Sequence, residues 1–168
     1  MGLRAEAPKT PARGTFGGKA IAPRSVHAVL HRRPATSDEA IDAALHRAEA
    51  SLADIWSLEF FADPHVPCPP PGAASDGAAK PTLRVDGIGG TARERPFAGT
   101  TQPADAVLLG PDGDYLSTWP AWVRFDALSW TAGTKVKGAL WTESPPDADR
   151  PDHEGSFGGR FEALVCAP

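Results

Sequence analysis

Glycine and proline punctuate this chain so densely that few long, uninterrupted elements fit into it. They account for 17 and 18 of its 168 residues, and they cluster in residues 1–24, in 63–81 and in the tight groups around 87–90, 110–113 and 155–159. Proline lacks the backbone donor that a ladder needs, and glycine supplies the positive φ that turns need, so each cluster marks a turn or a loop. The fold must be assembled from the short patterned pieces between them.

Most of those pieces read as strands. Residues 25–33 alternate, with Val26, Ala28 and Leu30 on one side and His27, His31 and Arg33 on the other, which is solvent-facing in this reading. Residues 82–86, 106–109 and 115–119 alternate too, and Gly110-Pro111-Asp112-Gly113-Asp114 joins the last two as a hairpin turn. A second hairpin pairs 121–130 with 135–143 around Thr131-Ala132-Gly133-Thr134. A four-residue loop there sets Arg124 against Trp141 and Trp122 against Glu143. A last strand runs from Arg160 to Cys166.

One piece reads differently. Thr36 and Glu39 have the spacing of a capping box, and Ile41, Leu45, Ala48, Leu52 and Ile55 follow at helical spacing. This predicts a helix from residue 38 to about 58–62, ended by Asp63-Pro64. Trp56, Leu58, Phe60 and Phe61 form an apolar band too wide for one face, so either the last turn is buried all round, the favoured reading, or residues 55–62 turn into a strand. The expected fold class is therefore α+β: one long amphipathic helix packed on an antiparallel β-sheet of about five to seven strands. Residues 1–24 are expected to form an extended basic arm, and residues 25–168 a single domain with a Pro/Gly/Ala-rich loop at 63–81. With 41 % hydrophobic and 23 % charged residues the chain can build a core.

Charge divides the chain at residue 36. The first 36 residues hold seven basic side chains and one acid, whereas the rest hold ten basic and twenty acidic ones. A basic arm on an acidic body suits contact with an acidic protein surface, and Arg4, Lys9, Arg13, Lys19 and Arg24 are its contact candidates. The acidic loop 144–154 is a natural dock for that arm, in the same chain or in a neighbour's. The arm's charges are widely spaced and have no aromatic residue among them before Phe16, which argues against nucleic acid as the partner. No run approaches the roughly 18 apolar residues of a membrane span. The first thirty residues lack the apolar centre of a secretory signal, so a cytoplasmic or particle-associated protein is expected.

Besides the arm, two constellations are candidates for function. On the polar face of the second hairpin, Trp122, Arg124, Trp130, Lys135, Lys137 and Trp141 combine indoles with cations, the composition of interface hot spots and of sugar-stacking surfaces. Three exposed indoles are costly, so a cover is expected: another element, a second chain or a ligand. His65, Cys68, His153 and Cys166 offer two imidazoles and two sulfurs to zinc, although neither cysteine belongs to a C-x-x-C pair. The two cysteines could pair and tie the C-terminus to the central loop, but in a reducing compartment free thiols are the expectation. No G-x-S-x-G, H-E-x-x-H or dinucleotide-binding glycine motif occurs. These features point first to a non-catalytic assembly or adaptor subunit of a homo- or hetero-oligomer, such as a structural component of a phage or other particle, with no cofactor. Second comes a carbohydrate- or small-ligand-binding β module, and third a zinc-dependent enzyme.

Overall fold

A computed structural model describes residues 9–34, 52–71, 78–87, 98–127, 129–143 and 154–167, without the side chains of 31–34, 52–55 and 143. Every regular element among them is a β-strand: β1 Arg13–Phe16, β2 Lys19–Ile21, β3 Ser25–Pro34, β4 Leu52–Phe61, β5 Leu83–Gly87, β6 Thr101–Leu109, β7 Tyr115–Ala127, β8 Lys135–Glu143 and β9 Gly155–Cys166. Strands β3 to β9 form a closed seven-stranded barrel in chain order, and the β1–β2 hairpin is added at one side. All neighbours are antiparallel except β3 and β9, whose parallel pairing of His27–Val29 with Leu164–Cys166 closes the barrel.

The α+β expectation is thus corrected. No described residue is helical, and residues 52–61, taken as the second half of the helix, pair with β3 over ten positions. The capping box and the first half of the apolar stripe, residues 35–51, lie outside the described residues. The physical reason is visible in β4 itself. Trp56, Leu58 and Phe60 alternate toward the barrel interior, while Ser57 and Phe61 on the opposite side are covered as well, so the band that seemed too wide for a helix face is a strand buried on both faces.

Closure requires tilted strands, and the register shows by how much. From Val29 the ladder runs through Ser57, Asp86, Asp105 and Pro120, crosses β8 one step beyond the Ala121–Thr142 pair, and reaches β9 at Ser156. Val29 itself pairs with Cys166, ten residues further along β9. A barrel of this strand number is just wide enough for side chains to fill. Edge-to-face aromatic contacts run along its axis. Phe60 meets Phe157 at 5.3 Å and Phe161 at 6.3 Å; Phe125 meets Phe161 at 5.9 Å, Trp56 at 5.1 Å and Trp130 at 6.0 Å. Leu58, Leu83, Val85, Val123, Val136 and Leu140 complete the hydrophobic core.

The arm is corrected in its described part. Residues 13–21 form a hairpin that turns at Gly17 and Gly18, with φ of 53° and 75°, values that glycine adopts without a steric penalty. β1 pairs with Gly155–Gly158, the half of the β9 edge that β3 leaves free. The hairpin therefore covers an exposed strand edge. At its tip the Gly17 N–H donates to the Glu154 carbonyl, at the end of the acidic loop. The rest of that loop and Arg4 lie outside the described residues, whereas Lys9, Arg13, Lys19 and Arg24 are exposed.

Candidate functional site

With the interior occupied by side chains, the chemistry of this barrel sits on its outer face, and two places stand out. The first spans β6 to β9 and the arm. The second hairpin forms as expected but two residues out of the expected register: Trp122 pairs with Trp141, and Arg124 with Ala139. A slip of two keeps every side chain on its face. Val123, Phe125, Val136 and Leu140 accordingly point inward, whereas Ala127 is exposed. A bulge between Phe125 and Ala127 shifts the register by one residue there.

As a non-interior cross-strand pair, the indoles of Trp122 and Trp141 stack, with centroids 6.3 Å apart and planes 16° apart. Trp122 remains 39 % exposed, one of only two large hydrophobic side chains that are exposed among the described residues. The same ladder row continues to Pro103 on β6, and on the other side to Gly158 on β9 and Arg13 on β1. At Gly158 no side chain stands between Trp141 and the arm. Five strands at about 4.8 Å make this row roughly 19 Å long. Exposed Arg124 lies two residues from Trp122 on the same face, so the two indoles are flanked by Arg13 and Arg124. The structure thus joins one arm cation to the tryptophan face, two features that the sequence presents separately.

The other members of the predicted set go elsewhere. Trp130 leaves β7 and packs edge-on against Phe125 at the end of the core, half-buried, with an indole N–H that finds no acceptor. Lys135 and Lys137 both reach Glu162 on β9, at 2.6 Å and 3.0 Å. Their hydrogen bonds hold the Glu162 carboxyl below its ordinary value. Arg160 pairs with Asp126 between this cluster and the tryptophans.

The second place lies at the parallel β3–β9 seam. His27, expected to face solvent, is on the outer face but only 2 % exposed, because residues 64–68 cross over it as a strap. Three tethers hold the strap. Ser25 Oγ donates to the Asp63 carbonyl at 2.6 Å, His27 Nε2 donates to the Val66 carbonyl at 2.7 Å, and Cys68 is disulfide-bonded to Cys166 with Cα atoms 5.4 Å apart. The expected free thiols are therefore a disulfide. Phe61 lies against the His27 ring at 4.8 Å. Beside the strap is an open cleft of about 620 Å³, lined by Ser25, His65, Val66, Lys135, Glu162 and Leu164 among others.

Of the predicted zinc ligands, Cys68 and Cys166 do meet, while exposed His65 lies in the cleft and His153 lies outside the described residues. The imidazole beside the two sulfurs is instead that of His27: donor atoms of His27, Cys68 and Cys166 all lie within 4.8 Å of one another. The signal that could have found it is the alternation of β3, which puts His27 on the face opposite Ala28. The missing information was which loop covers that face. Among the described residues no helix is long and apolar enough to cross a membrane. Compared with family models, with curated proteins and with solved structures, the chain matches none.

Proposed function

We propose that this protein is a non-catalytic binding subunit that docks an acidic surface of a partner protein chain on the outer face of β6–β9. The observation that carries the reading is the stacked Trp122–Trp141 pair, with Trp122 exposed and Trp141 half-buried, close to the exposed cations Arg13 and Arg124. Tryptophan and arginine are the residues in which interface energy concentrates, and a partner that desolvates the indoles meets two guanidinium groups suited to bidentate carboxylates. The aromatic filling of the barrel supports the same reading, since it leaves recognition to the surface. A home in an assembled particle or in an oxidising compartment suits the Cys68–Cys166 disulfide better than a reducing cytosol does.

A second reading has the same observation behind it: the two near-parallel indoles would also offer a stacking platform to a sugar ring. Arg124→Glu separates the two. Reversing this charge abolishes docking to an acidic protein surface and leaves stacking on the indoles largely intact, whereas Trp122→Ala abolishes both. The test is affinity capture from the native source with wild type and both variants, alongside a glycan-binding screen. Thermal melts confirm that each variant is folded. A partner retained by both variants refutes the proposal. The zinc-enzyme reading has the least support, because its two sulfurs are bonded to each other.

A further inference from the structure

We infer that the disulfide latch is also a masked metal site: once reduced, Cys68 and Cys166 join His27 to bind one zinc ion. Two sulfurs and a buried imidazole already lie within 4.8 Å of one another, at the point where the strap crosses the barrel seam. A carbonyl can only accept, so the hydrogen bond from His27 Nε2 to Val66 fixes the ring proton on Nε2 and leaves the lone pair on Nδ1. Donation of the second ring N–H to a backbone carbonyl is the usual support of a metal-bound histidine, and here it is in place before any metal arrives. Contact with Phe61 and burial restrict the ring further.

The chemistry balances in two steps. A dithiol reductant delivers two electrons and two protons to the Cys68–Cys166 bond, giving two thiols and the oxidised reductant. Zinc then displaces both thiol protons, which leave to solvent, and takes two thiolates and Nδ1, with water as the fourth ligand. The resulting site is neutral, which suits its burial. Zinc–sulfur bonds of about 2.3 Å at tetrahedral angles need sulfurs roughly 3.8 Å apart. Breaking the covalent bond permits that separation, and Cα atoms 5.4 Å apart need little backbone movement to allow it. In consequence the strap is held to β9 in either redox state: by the disulfide when oxidised, and by zinc when reduced.

The experiment uses the full chain, oxidised or reduced with a phosphine that is then removed, and titrated anaerobically with Co(II) followed by Zn(II). Reduced wild type is expected to bind one Co(II) per chain, with thiolate charge-transfer and tetrahedral ligand-field bands that Zn(II) abolishes, and zinc is expected to raise its melting temperature. Oxidised protein is expected to show neither effect. His27→Gln keeps the disulfide, so its fold can be verified in the oxidised state, and in the reduced state it is expected to bind Co(II) at least about tenfold more weakly. Three results overturn the proposal: no thiolate–cobalt band in reduced wild type, an affinity unchanged in His27→Gln, or zinc binding that does not raise the melting temperature.

Discussion

Replacing Cys68 by serine tests the latch quantitatively. The bridge joins residues separated by 98 positions, so cutting it releases a long loop in the unfolded chain. The loop-entropy relation gives about 4.7 kcal/mol for a loop of roughly this length, and measured losses are more often about 2–4 kcal/mol. For a chain of this size, 1 kcal/mol corresponds to roughly 2–4 °C, so an expected loss of about 3 kcal/mol lowers the melting point by about 6–12 °C. The natural partner of the measurement is the denaturant slope, which should steepen, because an uncrosslinked unfolded chain exposes more surface. Equilibrium urea unfolding of oxidised wild type and Cys68→Ser, both monitored by tryptophan fluorescence, supplies both quantities. The strap adds a local readout: exchange of backbone amides near Val66 should accelerate far more than exchange in β7 and β8. A loss below about 1 kcal/mol with an unchanged slope would show that the crosslink constrains nothing in the unfolded state.

Phe60 touches both Phe157 and Phe161 and is fully buried, so Phe60→Ala should cost about 3–5 kcal/mol in urea unfolding; a loss under about 1.5 kcal/mol would contradict a packed aromatic core. Gly159 has φ of 139°, and a Cβ there would run into the backbone of Thr10 and Ala12, so Gly159→Ala should destabilise by about 1–3 kcal/mol and loosen the β1–β2 hairpin to proteolysis. Glu162 is held below its ordinary carboxyl value of 4.5 by Lys135 and Lys137, so its contribution is present above that value and is lost as pH falls through the lowered one. Melting temperatures measured from about pH 6 to pH 3 should therefore fall less steeply in Glu162→Gln than in wild type; parallel curves would show that the cluster is not coupled to folding. Trp122→Ala should change stability by less than about 1 kcal/mol while removing partner binding, and a large loss of stability would show that the indole serves the fold.

What the sequence made legible, and what it did not, follows from the range of the forces involved. The pieces 25–33, 82–86, 106–109, 115–119, 121–130, 135–143 and 160–166 could be read as strands because alternation and turn chemistry are local. Even so, 115–119 and 121–130 prove to be parts of one strand that ends at Ala127, and β6 and β9 begin earlier, at Thr101 and Gly155. β4 was misread because its hydrophobic residues satisfy two periods at once. Ile55, Leu52 and Ala48 continue a helical stripe, while Trp56, Leu58 and Phe60 alternate, and only the ten-pair ladder with β3 decides between them. Barrel closure was not legible at all, because it rests on a parallel pairing between residues 27–29 and 164–166, far apart in the chain. At the candidate sites, composition singled out the Trp122–Arg124–Trp141 face, whose members lie within one hairpin. Arg13 and His27 acquired their places only when β9 brought the arm and the strap to the two ends of its edge.

On the proposed function, the face around Trp122, Trp141, Arg13 and Arg124 holds a partner chain. Native mass spectrometry of the protein purified gently from its source tests it most directly. Wild type should appear in a complex heavier than the 17.6 kDa chain, and a folded Trp122→Ala, Arg124→Glu double variant should appear at 17.6 kDa. A wild-type protein found only at 17.6 kDa, or a double variant that keeps its partner, would contradict the account.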